Sequence, residues 1–197
     1  MKIGITGGIG SGKSTVCRLF SQRGIAVYDS DREAKRLMTE DQSLKEAIKA
    51  RFGEETYTEG ELNRAMLAQR VFGDEEALAA LNALVHPAVM RDFEEWTARQ
   101  ESPYVVLESA ILFSAHLEAT VDRTLAVLAP EPLRVARAAK RDGCSEELIR
   151  ERIKAQMSDD EIAQKADYVL VNIMESDLAP EVERLDQIFR HETAQNH

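Results

Sequence analysis

The chain has 197 residues, of which 44% are hydrophobic and 30% are charged, the proportions of an ordinary soluble globular protein. Chains of this length bury one good core with a sizeable insertion and are short for two independent domains. The formal net charge of -10 argues against nucleic-acid or membrane-surface binding, because polyanions bind non-specifically to basic faces. No apolar run approaches a membrane span, and Cys17 and Cys144 form no Cys-x-x-Cys pair, so we expect a cytoplasmic protein.

Residues 7–15 read Gly-Gly-Ile-Gly-Ser-Gly-Lys-Ser-Thr and fit Gly-x-x-x-x-Gly-Lys-[Ser/Thr], the phosphate-binding P-loop. Glycines allow successive backbone N–H groups to face a polyphosphate, and the helix that follows adds its positive end. Lys13 is predicted to reach the β and γ phosphates, and Ser14 to offer its hydroxyl to Mg²⁺. The predicted phosphate-binding residues are Gly8, Gly10, Ser11, Gly12, Lys13, Ser14 and Thr15.

The surrounding pattern is that of alternating strands and helices. A β-prone run precedes the loop, and Val16, Leu19 and Phe20 then recur at the spacing of a helix packed on a sheet. Such alternation predicts an α/β fold. Strands are predicted at 1–6, 25–28, 104–108, 123–128 and 166–172.

Two predicted strands end in carboxylates. Asp31 follows the second strand, where it is suited either to accept a hydroxyl proton during phosphoryl transfer or to cap a helix at 32–38. Position alone does not separate these two roles. Glu108 ends the third strand, where P-loop enzymes hold Mg²⁺ directly or through water; the alternative is a solvent-facing acid.

Residues 40–101 are predicted to be helical almost throughout, without a convincing strand. A fourth helix of this block is predicted to start at His86 or Pro87, since proline fits the first turn of a helix. Arg64 and His86 stand out here, but a solvated charge and a turn or cap residue are the simpler interpretations.

A later helix carries Arg134, Arg137 and Arg141 at spacings of three and four. This spacing predicts one basic face that closes over a triphosphate, which we favour over a solvated face in so acidic a chain. With the next helix it forms a predicted mobile flap that excludes water. Asn172 ends the fifth strand, where its amide is predicted to contact adenine or support the loop.

Taken together, these residues resemble the dephospho-CoA kinases, which use ATP to phosphorylate the ribose 3′-hydroxyl of dephospho-CoA in the last step of coenzyme A synthesis. The resemblance runs along nearly the whole chain, and the combination is far more specific than the P-loop alone. It rests on residues 6–15, 29–31, 52–53, 62–64, 71–72, 86–87 and 112–113, and on Arg137, Arg141, Gln156, Ala166, Asp167 and Asn172.

The resemblance implies a P-loop kinase fold of the nucleoside monophosphate kinase type, with a five-stranded parallel sheet. The implied core is 1–39 with 102–197, the lid about 131–160, and the helical CoA-binding insertion 40–101. ATP, dephospho-CoA and Mg²⁺ are the implied substrates and cofactor, and no oligomeric state is indicated. The implied roles are Asp31 as base, Arg64 and His86 on the acceptor, Arg137 and Arg141 on the ATP phosphates, and Asn172 near the adenine.

Some positions depart from the family pattern. Asn63 replaces a common Asp, Lys35 a frequent Arg, and Ser114 a common Glu, while Glu108 with Ser109 and Ala110 replaces Asp followed by Ile-Pro. Glu108 keeps the charge needed for a metal role. Another small P-loop kinase and a nucleotide-binding regulator without transfer are the alternatives. A GTPase is disfavoured because Asn-Lys-x-Asp and Asp-x-x-Gly are absent from the sequence.

Overall fold

The computed structural model describes residues 1–174 and 177–195. Its strands are β1 (Lys2–Thr6), β2 (Ala26–Asp29), β3 (Tyr57–Thr58), β4 (Glu61–Leu62), β5 (Val105–Glu108), β6 (Arg123–Leu128) and β7 (Tyr168–Val171). Its α-helices are α1 (Lys13–Gln22), α2 (Ser30–Glu40), α3 (Gln42–Phe52), α4 (Arg64–Val71), α5 (Glu75–Thr97), α6 (Glu131–Asp142), α7 (Glu146–Lys154), α8 (Asp159–Lys165) and α9 (Leu178–Gln195). Short 3₁₀ turns cover Glu54–Thr56 and Leu117–Thr120.

The chain divides into two compact units. The first unit is Met1–Tyr28 with Gln100–His197, and the second unit is Asp29–Arg99. The second unit begins earlier than residue 40, the boundary expected from the sequence, because α2 packs against α3 and α5 within it. Part of that packing is a 2.7 Å ion pair between Arg36 of α2 and Asp92 of α5.

The first unit is built on a five-stranded sheet in the order β2-β5-β1-β6-β7. The predicted five-stranded parallel sheet is confirmed. Strand β1 lies at its centre, paired in parallel with β5 and β6, and its Ile3 and Ile5 are completely buried. A parallel strand covered on both faces needs such a continuous apolar run.

Helices α1 and α9 cover the sheet with an aromatic cluster. The Phe20 ring of α1 stacks on the Phe189 ring of α9, and Tyr104 meets both rings edge to face. The Tyr104 hydroxyl donates a 2.7 Å hydrogen bond to Asp186. Burial, together with this carboxylate, raises the pKa of Tyr104 well above its usual range. The phenol is therefore a permanent donor that fixes α9 on the sheet.

The strand order also positions the P-loop. After β1 the chain continues to one side of the sheet, to β2 and β5, and it then crosses to β6 and β7 on the other side. The point between β1 and β5 is therefore a topological switch point. Ligands of open α/β sheets bind at the carboxyl ends of the strands at such a point. The P-loop leaves the carboxyl end of β1 and leads into α1. In the β1–β5 register Ile5 lies opposite Glu108, which brings Glu108 to the same edge as the loop.

The second unit differs from the sequence prediction around Pro87. One helix, α5, runs from Glu75 through Pro87 to Thr97, so the predicted separate third and fourth helices are wrong. A proline inside a helix removes one backbone hydrogen bond. Here the exposed Pro87 is tolerated because buried residues on both sides hold the helix, namely Val85, Ala88, Val89 and Phe93.

The second unit also contains strands that the sequence did not predict. β3 and β4 pair antiparallel, with Tyr57 opposite Leu62. Glu59 and Gly60, which connect them, have φ values of 53° and 87°. Positive φ at both central residues is the geometry of a tight hairpin turn. Such two-residue strands are too short to leave an alternating hydrophobic pattern.

Candidate active site

The P-loop is shaped by glycines that have no room for a side chain. Gly10 and Gly12 have φ values of 76° and 97°, in the region that favours glycine. A Cβ on Gly10 would lie 2.2 Å from the Arg134 carbonyl oxygen, and one on Gly12 would lie 2.1 Å from Nδ2 of Asn172. The loop therefore lies tightly against α6 and the segment after β7.

The tip of the loop, Ile9, is held through its backbone. The Ile9 N–H donates to Oε1 of Gln156 at 2.9 Å, and Nε of Arg134 donates to the Ile9 carbonyl at 3.0 Å. Below the tip, the Ser11 N–H donates to the Gly8 carbonyl at 3.1 Å. These bonds fix a tight turn over residues 8–11. The Ser11 hydroxyl beneath the turn is fully buried and has no hydrogen-bond partner among the residues that the structure describes.

Ser14 and Glu108 come together at the start of α1. The Ser14 hydroxyl donates to Oε1 of Glu108 at 2.7 Å. Lys13 is the first residue of the same helix, and the Thr15 N–H donates to the Gly12 carbonyl at 3.0 Å. The first turn of α1 thus presents a cation, a hydroxyl and its own positive end beside one carboxylate.

The Ser14–Glu108 pair suits Mg²⁺ chemically. Mg²⁺ prefers oxygen ligands, keeps several waters, and is usually held by one or two protein oxygens together with substrate phosphates. A hydroxyl and a carboxylate oxygen in contact match that donor set. Among residues 1–174 and 177–195 no group of three or more His, Cys, Asp or Glu side chains could hold a metal ion.

The three arginines of α6 do not form the single free face expected from their spacing. Arg134 is 4% exposed and pairs with Asp159 at the start of α8, in addition to its bond to Ile9. Arg137 donates to the carbonyls of Asn172 and Ile173, both at 3.2 Å. Arg141 is exposed and pairs with Asp142. Arg134 thus binds the loop through Nε and α8 through Nη1, and its predicted contact with a triphosphate stays a prediction.

In the second unit, Asp31 lies in the first turn of α2. The capping role considered for it belongs to Asp29, whose carboxylate accepts the Arg32 N–H at 3.0 Å. Asp31 is exposed, and across the described ranges its carboxylate has no hydrogen-bond or ion-pair partner. The carboxylate is therefore available for a ligand.

Arg64 and His86 also belong to the second unit. Arg64 is exposed at the first position of α4, directly after Asn63, whose side chain caps that helix by accepting the Met66 N–H at 3.1 Å. Asn is as good a cap as the Asp common at this position, which accounts for that departure. His86 is half-buried in α5, and burial lowers its pKa below the usual value, so the ring is neutral at neutral pH. Nothing in the structure explains why Lys35 stands where the family frequently has Arg.

A pocket of about 100 Å³ lies beside the loop, within the first unit. Thr6, Gly8 and Gln156 form one part of its wall. Phe113 and Ser114, which follow β5 in the chain, form another part. The Ser114 hydroxyl only bonds its own turn, by donating to the Ile111 carbonyl at 3.3 Å.

Two residues that hold the loop, Gln156 and Arg134, were not recognised from local sequence patterns. Gln156 appeared only within the family resemblance, because a single amide in the short connection between α7 and α8 has no distinctive pattern. The helical spacing placed Arg134 on one face with Arg137 and Arg141, and this hid its separate role at the loop. A usable signal existed, since Arg134 lies beside Val135 and Ala138 on the buried face of α6.

No helix in the described ranges is both long and apolar enough to cross a membrane. A family model described as dephospho-CoA kinase matches residues 1–177. A dephospho-CoA kinase of Bacteroides fragilis strain YCH46 is 39% identical over 183 residues, which cover 92% of this chain and 89% of that protein. The crystal structure of TT1252 from Thermus thermophilus is 40% identical, with a TM-score of 0.83 over 98% of this chain and 97% of that one. A dephospho-CoA kinase from Campylobacter jejuni, 22% identical, has a TM-score of 0.62 over 95% and 96% of the two chains, and so supports the fold.

Proposed function

Because the chain belongs to the dephospho-CoA kinase family, we propose that it transfers the γ-phosphoryl group of ATP to the ribose 3′-hydroxyl of dephospho-CoA, giving coenzyme A and ADP. The observation that carries the proposal is the 2.7 Å contact between Ser14 and Glu108 beside Lys13. These groups are the ones that phosphoryl transfer needs around its charged phosphates.

The first unit supplies the nucleotide site of the proposed reaction. N–H groups of the loop and the first turn of α1 bind the phosphates, and Lys13 neutralises charge that develops between the β and γ phosphates. Ser14 and Glu108 would hold Mg²⁺. When bound, the ion neutralises phosphate charge and orients the γ-phosphoryl group for in-line attack. Gly8, Gly10, Ser11, Gly12, Thr15, Arg137, Arg141 and Asn172 complete the proposed ATP site.

The second unit supplies the proposed acceptor site. Asp31 accepts the proton of the ribose 3′-hydroxyl as that oxygen bonds to the γ-phosphorus, and the bond from phosphorus to the bridging oxygen of ADP breaks. The exposure of Asp31 and its lack of a partner among the described residues support this role. Arg64 is suited to pair with an anionic group of the acceptor. His86, kept neutral by burial, is suited to a hydrogen bond instead of an ion pair.

Water competes with the acceptor for the phosphoryl group, so the site must be closed during transfer. We assign this task to residues 131–160. Val135 and Ala138 of α6 pack with Ile149 of α7, and Ile9 at the loop tip packs against the same cluster. This packing supports a lid that bears directly on the P-loop.

The test is acceptor-dependent ADP release by the purified chain with ATP and MgCl₂. Dephospho-CoA, shikimate, adenosine monophosphate and water alone are compared as acceptors. We expect release with dephospho-CoA to exceed that with the others by at least about 100-fold, as expected when binding energy from the whole acceptor is used for orientation. ATP binding without acceptor-dependent release would instead indicate a nucleotide-binding regulator. Faster release with another acceptor would indicate a different small-molecule kinase.

A further inference from the structure

Asn172 connects the lid helix α6 to the P-loop. Its Nδ2 donates to the Ser11 carbonyl at 2.8 Å. Its Oδ1 and its backbone carbonyl accept from Arg137, at 3.4 and 3.2 Å. Only the NH₂ end of an amide donates to a carbonyl, and only the oxygen end accepts from a guanidinium, so the two partners fix the orientation of this amide.

The bond to Ser11 determines the direction of the next N–H group. In a trans peptide the carbonyl of one residue and the N–H of the following residue point to opposite sides, and no cis peptide occurs in the described chain. Because Asn172 holds the Ser11 carbonyl on one side, the Gly12 N–H faces the other. In residues 1–174 and 177–195 that N–H has no acceptor. It lies immediately before α1, where an N–H group contributes to anion binding.

Asn172 has little capacity left for a nucleotide base. The residue is 3% exposed, and both ends of its amide are engaged. It also lies directly against the loop, since a Cβ on Gly12 would be 2.1 Å from Nδ2. These contacts favour a role behind the phosphate site over a contact with adenine.

We propose that Asn172, held by Arg137, is a positioning residue that turns the Ser11 carbonyl away from the phosphate site and the Gly12 N–H into it. The inference rests on the proposed function only in taking a polyphosphate nucleotide as the ligand of the loop. It replaces the expectation that Asn172 contacts adenine. It also gives Arg137 a task in shaping the site through Asn172.

Asn172→Asp tests the proposal with minimal change in shape. The carboxylate still accepts from Arg137, but it cannot donate to Ser11 and repels that carbonyl. Binding of ATP, GTP and inorganic tripolyphosphate, each with MgCl₂, is measured by calorimetry on the full chain. We expect the dissociation constants of ATP and tripolyphosphate to rise by the same factor, about 10-fold, the usual effect of one lost hydrogen bond that leaves a buried group unpaired. The ratio of ATP to GTP affinity stays constant.

Asn82→Asp in α5 provides the matched control, since it makes the same chemical change in the second unit and leaves binding unchanged. Should Asn172→Asp fail to fold, Asn172→Ala removes the donor to the Ser11 carbonyl without adding a charge, and it too weakens the binding of ATP and tripolyphosphate by the same factor. Four results would each overturn the proposal. Two of them are weaker ATP binding with unchanged tripolyphosphate binding and an altered ratio of ATP to GTP affinity. The other two are unchanged binding of all three probes and a wild-type protein that does not bind tripolyphosphate. Wild-type protein that passes this test but transfers nothing to dephospho-CoA overturns the proposed function alone.

Discussion

The Ser14 hydroxyl and the Glu108 carboxylate lie 2.7 Å apart although 94 residues separate them in the chain. The sheet order explains the contact, because β1 and β5 are neighbours and their carboxyl ends meet. Glu108 ends β5, and Ser14 lies in the first turn of α1, which follows β1 through the P-loop. The contact is therefore a product of topology, and it places the two oxygens that we propose as Mg²⁺ ligands beside the P-loop.

Glu108→Gln tests this pair. The amide oxygen still accepts from Ser14, but the negative charge is gone, so we expect activity to fall about 10- to 100-fold and the Mg²⁺ concentration for half-maximal rate to rise. Initial rates over a MgCl₂ series measure both effects. Glu101→Gln, an exposed acid before the same strand, serves as the control. An unchanged Mg²⁺ requirement in Glu108→Gln would exclude the metal role.

We expect substitution of Asp29 to affect stability and substitution of Asp31 to affect catalysis. Asp29→Ala removes the cap of α2 and should lower the free energy of unfolding by about 1 kcal/mol. Asp31→Asn should change stability by less than about 1 kcal/mol, since only its interaction with the helix end is weakened. That second substitution should lower kcat by roughly 10² or more while ATP affinity survives.

Denaturant unfolding, steady-state kinetics and ATP titration of both variants give these values. A kcat of Asp31→Asn equal to that of the wild type would show that Asp31 is not the general base.

Features of the fold and the site that depend on contacts between residues close in sequence could be predicted, and features that depend on distant contacts could not. The loop, the helix caps at Ser145 and Ser158 and the five strands of the parallel sheet could be predicted, because short motifs and periodicity encode them. The bonds of Arg134 to Ile9 and of Asn172 to Ser11 could not be predicted, since they join residues 125 and 161 positions apart in the chain. The continuous helix through Pro87 escaped prediction for a similar reason, because buried neighbours outweigh the local cost of proline.

The Arg134–Asp159 ion pair should stabilise the first unit. Asp159→Asn leaves the buried guanidinium without a charged partner, and we expect a loss of about 2 kcal/mol in the free energy of unfolding, as for other hydrogen bonds to charged groups. Asp160→Asn makes the same change one residue on, at an exposed position, and should have little effect. Denaturant titration compares the two. Equal stabilities would show that Arg134 is satisfied without Asp159.

His86 should make stability depend on pH. Burial lowers its pKa in the folded chain below the ordinary value of about 6.5. As pH falls through about 6.5 the unfolded chain takes up this proton first, so stability is present above that pH and is lost below it. Melting temperatures of the wild type and His86→Gln from about pH 8 to about pH 5 should show a smaller acid-side loss in the variant.

The control is His116→Asn, at an imidazole that is 89% exposed, where asparagine tolerates the positive φ of 55°. That variant should follow the wild-type curve. An identical acid-side loss in His86→Gln and wild type would show that another group causes it.

The identity of the phosphorylated product decides whether the proposed phosphoryl transfer takes place. The purified chain is incubated with ATP, MgCl₂ and dephospho-CoA, and the product is analysed by mass spectrometry and ³¹P NMR. We expect dephospho-CoA to gain a single phosphoryl group as a monoester on the ribose 3′-oxygen, with one ADP formed for each molecule of product. Unchanged dephospho-CoA beside ADP, or a phosphoryl group on any other oxygen, would contradict the account.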